Sequence, residues 1–211
     1  MFLAGNAETN LSILGIYEID NKNVTNTNIN LNIPLTFNAN EANSIIKLKA
    51  NGDINLSSIF YRYGNNENNN EWKLYTLNTP ITLSNINDKV QFKNTSNEFS
   101  KDENNYINFE ITGKIEASGN IQSLLNYNSS CTKYCFINIF KNCSGLISAP
   151  ELLASILDDY CYQNAFENTS ISSLLLPATT LKYNCYTNII NNCSALSSIS
   201  ININEYNIFE T

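Results

Sequence analysis

The 211-residue chain has no histidine, one tryptophan, one methionine, four prolines and seven glycines. Triads, general bases and metal sites that depend on an imidazole are therefore excluded by inventory. The glycines are scattered, so no glycine-rich phosphate loop is present. Charge is also scarce, at 15% of residues against 43% hydrophobic, which excludes a chain kept open by its own charge and predicts a folded one. The formal net charge is −7 and the pI about 4.6. Phosphate binding needs clustered Lys and Arg, so no nucleic-acid partner is expected. No apolar run approaches the roughly 20 residues that span a bilayer, so no membrane insertion is expected. The start, Met1-Phe2-Leu3-Ala4-Gly5-Asn6, has neither the basic stretch nor the long apolar stretch of a secretion signal.

Asparagine is what the chain has in excess, with 40 copies. Amides close turns and give a neutral polar surface. An AT-rich coding sequence explains the number more simply than selection for amide chemistry. Sequons such as Asn10-Leu11-Ser12, Asn23-Val24-Thr25 and Asn55-Leu56-Ser57 are expected by chance at this frequency.

The stretch 134–203 reads one local pattern three times. The first copy is Tyr134-Cys135-Phe136, then Phe140, then Asn142-Cys143-Ser144-Gly145-Leu146. The second is Tyr160-Cys161-Tyr162, Phe166 and Asn168-Thr169-Ser170-Ile171. The third is Cys185-Tyr186, Ile190 and Asn192-Cys193-Ser194-Ala195-Leu196. A period of about two dozen residues marks units that cannot bury their own apolar face and must stack on a neighbour. Within a copy, the spacing of Cys135, Phe136, Ile139 and Phe140 predicts a short helix or 3₁₀ segment. Asn142, Ser144 and Gly145 then supply a turn, and Leu146 and Ile147 begin a short strand that pairs in parallel with its counterparts.

Five of the six cysteines follow this period, Cys135, Cys161 and Cys185 in one phase and Cys143 and Cys193 in another. Stacked equivalent positions predict a ladder of buried, reduced thiols packing as small apolar residues, along with the ring and aliphatic positions Phe140, Phe166 and Ile190. Phe136, Tyr162 and Tyr186 share a further phase and read as packing between copies. A zinc site at Cys131-x3-Cys135 is the alternative, weakened because Cys131 shares its phase with Leu157 and Leu181. No metal or other cofactor is expected.

Residues 1–38 contain an apolar run, 11–19, and then alternate at Ile29, Leu31, Ile33, Leu35 and Phe37, a half-buried strand signal with Pro34 at an edge or end. The segment reads equally as an arm that adds strands to a neighbour or as the first hairpin of the next domain. Residues 39–126 give short strand signals at 44–49, 54–63, 71–76, 81–83, 89–93 and 106–115, divided by turns such as Asn51-Gly52-Asp53. That spacing predicts an antiparallel β-sandwich.

The repeated motifs resemble BspA-type leucine-rich repeats, and Leu176-Pro177-Ala178-Thr179-Thr180-Leu181 matches that family's linker residue for residue. Thr169 stands where the family has cysteine and Ile190 where it has Met or Phe. The strand motifs around Trp72-Lys73-Leu74-Tyr75-Thr76 and Asp88-Lys89-Val90, and the junction Thr112-Gly113-Lys114-Ile115, are similar to the β-domain often fused before such repeats. Ser118-Gly119-Asn120 ends the last strand there, and 121–125 reads as a helical turn capping the first repeat.

Carboxylate chemistry is weakly signalled. Asp158-Asp159, and Glu18 with Asp20, read as solvated turn and edge residues rather than a glycosidase pair, which needs two carboxyls facing one sugar. Tyr61, Tyr63, Trp72 and Tyr75 fall in neighbouring strands together with Phe60. They read either as a sugar-stacking platform or, more plainly, as a core cluster with hydroxyls at its rim.

The expectations are therefore a mixed, β-rich chain: a strand-rich arm or docking segment over 1–38, a β-sandwich over 39–126, and about three leucine-rich-repeat-like units over 127–211, with short helices and parallel strands. The resemblance implies a non-enzymatic surface protein. The expected place is a phage virion, as capsid decoration or head fibre, made in the host cytoplasm and attached to other virion proteins through the N-terminal segment. A bacterial cell-surface adhesin or glycan-binding module is the alternative. Expected partners are a host surface glycan or protein and, through free strand edges, further copies of the chain.

Overall fold

The computed structural model describes residues 18–19, 33–64 and 71–201. It is β-rich with almost no helix. Among the described residues there are twelve strands: β1 (Glu18–Ile19), β2 (Leu35–Ala39), β3 (Ser44–Asn51), β4 (Ile59–Tyr63), β5 (Lys73–Leu74), β6 (Pro80–Leu83), β7 (Lys89–Asn94), β8 (Tyr106–Thr112), β9 (Ile115–Ser118), β10 (Leu146–Ser148), β11 (Ser173–Leu176) and β12 (Ser198–Ile201). One 3₁₀ segment, Ile121–Leu125, follows β9.

Period-two patterning explains the base strands. On β3, Ser44, Ile46 and Leu48 point inward, while Lys47 and Lys49 point outward to Glu110 of β8. Those ion pairs are part-exposed and contribute at most about 1 kcal/mol each. On β7, Val90 and Phe92 are fully buried, as are Ile107 and Phe109 on β8. Phe37, Phe92 and Phe109 meet edge to face, with centroids 4.8–5.9 Å apart, so the sheet carrying β2 and β7 shares its core with the sheet carrying β8. Such ring pairs add roughly 0.5–1.5 kcal/mol each beyond their burial.

One sheet has the order β10-β9-β2-β7-β4-β5 and is mixed; a second, β6-β3-β8, is antiparallel; the third, β1-β12-β11, is parallel. The boundary drawn at residue 38 falls inside β2, which is an interior strand, with Phe37 opposite Val90 on one side and Ala117 on the other. β1 pairs with β12 at Glu18↔Ser198 and Ile19↔Ile199. The remaining part of the expected arm, 1–17 and 20–32, lies outside the described residues.

The base and the repeats join through β10, which extends the base sheet by pairing in parallel with β9. At this seam the Gly145 carbonyl accepts from Ile115 N–H at 2.9 Å. A β-carbon at Gly145 would overlap the Gly113 carbonyl oxygen, so only glycine permits the approach. The 3₁₀ segment closes the same end. Its N-cap Asn120 accepts from Gln122 N–H at 2.8 Å, and Ser123 Oγ accepts from Leu35 N–H and donates to the Phe92 carbonyl.

The short helix or 3₁₀ segment expected in each repeat does not form as a continuous element. Residues 133–142, 159–168 and 183–192 are instead chains of tight turns. In the first, the N–H groups of Cys135, Ile137, Ile139, Lys141 and Cys143 each donate three residues back along the chain. The alternate N–H groups of Tyr134, Phe136, Asn138, Phe140 and Asn142 donate across to Asp159, Cys161, Gln163, Ala165 and Glu167 of the next repeat, at 2.8–3.1 Å. The second repeat does the same to the third. Half of the donors are thus used between repeats, and every fourth residue has a positive φ: Tyr134, Asn138 and Asn142, then Tyr160, Asn164 and Asn168, then Asn184, Asn188 and Asn192. Neither feature is compatible with a helix.

Candidate functional site

Columns run along the pile of repeats. Phe109, Phe140 and Phe166 stack with centroids 5.3 Å apart and planes within 24°, and Ile190, half-buried, occupies the same phase in the last repeat. Phe136, Tyr162 and Tyr186 form a second stack, at 5.4 and 6.0 Å, and Tyr134 on Tyr160 starts a third at 4.8 Å. Lys133 Nζ lies over both rings of that last pair.

The six cysteines are free and buried. Burial pushes the Cys143 thiol up to about 12 and that of Cys185 to about 11. Burial opposes charge at Cys131 too, but hydrogen bonds from Cys135, Cys161 and Tyr162 hold it below its ordinary value while theirs rise. Cys131 Sγ is 3.7 Å from Gln122 Oε1. Among the described residues no three His, Cys, Asp or Glu side chains are grouped to hold a metal ion. Cys143 Sγ donates to the Phe109 carbonyl at 3.1 Å, and Cys193 Sγ to the Phe166 carbonyl at 3.0 Å.

Those last two bonds expose the logic of the seam. Phe109 lies on β8, yet it occupies the place of a preceding repeat's phenylalanine in three respects. Its ring stacks on Phe140, its N–H donates to Ile139 as Phe140 N–H donates to Ala165, and its carbonyl accepts a thiol as that of Phe166 does.

Beside Phe109 the match stops and a polar cleft of about 360 Å³ opens. It is lined by Lys49 and Asn51 of β3, Tyr106, Asn108 and Glu110 of β8, and Asn138, Lys141 and Asn142 of the first repeat. Asn164 Nδ2 donates to Asn138 Oδ1 at 2.9 Å, and Asn168 Nδ2 to Asn142 Oδ1 at 2.6 Å. The amide oxygens of the first repeat therefore face the second. Lys47 and Lys49 both pair with Glu110, whose carboxyl their hydrogen bonds hold below its usual value, and Lys141 pairs with Glu167 at 2.8 Å.

The strand aromatics do not form a platform. Tyr75 is buried, donating its hydroxyl to the Thr79 carbonyl and accepting from Leu48 N–H at 3.0 Å. Tyr61 is half-buried and meets Tyr63 and Tyr75 edge to face. Arg62 and Lys93 both sit over the Trp72 ring, at 4.6 and 4.4 Å. Asp158 and Asp159 are held by Lys182 and Lys133, and Asp159 also accepts from Tyr183 N–H. Asp20 lies outside the described residues.

No protein-family model matches the chain, and no curated protein or solved structure does.

Sequence reasoning singled out Asn142 as a turn former and passed over Asn138, Lys141 and Tyr106. The signal was there in part: asparagine recurs at 138, 164 and 188 as it does at 142, 168 and 192. A polar residue repeated in phase marks a column as surely as an apolar one does.

Proposed function

We propose that this chain is a non-enzymatic virion surface protein, a capsid decoration or head-fibre component that displays a short repeat array for attachment to a host surface. In this reading the two base sheets are a β-sandwich, and the repeats are a minimal leucine-rich-repeat solenoid of the BspA type. The observation that supports it most is the seam, where ring column, thiol bonds and β9–β10 pairing run without a break from base to repeats. A continuous core of this kind suits rigid display, because the repeats cannot swing on a linker. The repeat motifs themselves support the surface assignment.

The test is location. Mass spectrometry of gradient-purified virions should find the protein at a defined copy number, and antibodies raised to residues 127–201 should label intact particles. Its absence from virions, with recovery in a bacterial envelope fraction, would refute the reading.

A further inference from the structure

We propose that the cleft at the seam is a binding site for an uncharged glycan. This places the attachment role at one position, and so rests on the reading above.

The argument starts from the ladder. The second repeat offers the first two amide NH₂ groups, Asn164 to Asn138 and Asn168 to Asn142. The first repeat has no predecessor, only Phe109, which replaces one residue of it. A planar carboxamide carries oxygen and nitrogen on opposite sides, so with their oxygens turned toward the second repeat, Asn138 and Asn142 turn their NH₂ groups toward the cleft they line. Neither NH₂ has an acceptor among the described residues, although Asn138 is only 9% exposed.

Acceptors are left over in the same way. The second repeat's Gln163, Ala165 and Glu167 carbonyls accept from the first, and their first-repeat counterparts are Ile137, Ile139 and Lys141. Phe109 satisfies Ile139 alone, so the Lys141 carbonyl at the cleft wall accepts from nothing described. Donors and acceptors alternate along one edge, with the half-buried Tyr106 among the facing residues. The volume lies at the small end of the roughly 300–1,000 Å³ range of ligand sites.

Charge decides the ligand class. The lining ammonium groups are already paired, Lys49 with Glu110 and Lys141 with Glu167. An anionic ligand would have to break those pairs, whereas hydroxyls can both donate and accept at the unused amide and carbonyl positions without disturbing them. A ring of Tyr106's kind also offers an apolar face to the C–H side of a pyranose. Cys143 in the wall is bonded to Phe109 with its thiol pushed up by burial, so it brings no covalent chemistry.

The experiment titrates the full chain, ¹⁵N-labelled, with neutral oligosaccharides terminating in glucose, galactose, mannose and N-acetylglucosamine. At least one should shift the side-chain NH₂ signals of Asn138 and Asn142 and the backbone signals of Lys141 and Tyr106, saturating at about 1 mM or below. Asn142→Gly keeps the backbone conformation while removing the amide together with its bond from Asn168, and Tyr106→Ala removes the ring; each should weaken binding roughly tenfold while the rest of the folded protein's amide spectrum is unchanged. The assignment is overturned if none of the sugars shifts those signals, if Asn142→Gly binds as the parent does, or if a sulfated sugar binds more tightly at low salt than any neutral one. Because this reads the isolated chain, its outcome is separable from the location of the protein on virions.

Discussion

Replacing Phe140 with alanine tests whether base and repeats share one core. Phe140 is fully buried and stacks on Phe109 of the base and Phe166 of the second repeat, each at 5.3 Å, with Phe37 edge-on at 6.2 Å. Truncating a buried phenylalanine typically costs about 3–5 kcal/mol in transfer and cavity terms. For a chain of this size that corresponds to a fall in Tm of about 6–20 °C. Against a total stability of about 5–15 kcal/mol, the loss is a large fraction of the whole. At the column's end, Ile190 is half-buried, so Ile190→Ala should cost clearly less. Differential scanning calorimetry of the three proteins gives the answer, provided that the parent unfolds in one transition. The reasoning fails if Phe140→Ala loses no more than Ile190→Ala. It fails equally if the variant shows two transitions with the upper one unmoved, because the base would then be folding without regard to the repeats.

Three further outcomes follow from the same geometry. Gly145→Ala forces a β-carbon against the Gly113 carbonyl and should cost about 1–3 kcal/mol by urea denaturation, with the loss of β9–β10 amide protection; an unchanged midpoint refutes the close approach. The N–H groups of Tyr186, Asn188, Ile190 and Asn192 have no described acceptor, whereas those of Tyr162, Asn164, Phe166 and Asn168 are bonded across repeats. Hydrogen exchange should therefore be fast in the third repeat's turns and slow in the second's, and equal protection would contradict the one-way ladder. Cys143, with an ordinary thiol value of 9.0, is raised to about 12 by burial, and Cys185 to about 11. The unfolded thiols ionise first, so this contribution is complete below about pH 9 and lost as pH climbs through 9 toward 11–12. The urea midpoint should fall across that window, and Cys143→Ala should shallow the fall, which unchanged steepness would refute.

Why some of this was legible in the sequence and some was not has a physical basis. The repeat phases could be read because each recurs with chemically similar residues, as at Cys135, Cys161 and Cys185. The helix was misread because Cys135, Ile139 and Cys143, with Phe136 and Phe140 beside them, recur every four residues. Over so short a stretch that is indistinguishable from a 3.6-residue period. What separates the two is the residue at Asn138 and Asn142, where a left-handed backbone is required. Among the described residues, fourteen non-glycine residues have positive φ, of which eleven are asparagine and three are tyrosine. Asparagine enters that region more readily than other non-glycine residues, so at these positions conformation, and not codon composition alone, favours the amide.

The cleft was illegible for a different reason. It depends on β8 lying against the first repeat, some thirty residues away in the chain, and local patterning carries no information about which edge meets which turn. The role of Phe109 is hidden in the same way, since its alternation on β8 marks it only as an inward residue. In space it is a one-residue substitute for a missing repeat, matching ring, N–H and carbonyl but not the flanking amides. Both consequences follow from how partial that substitution is. Where Phe109 matches, the core runs unbroken from base to pile. Where it does not, the unused hydrogen-bonding groups of the first repeat collect at the cleft, so one partial match accounts both for the shared core and for the unspent donors and acceptors beside it.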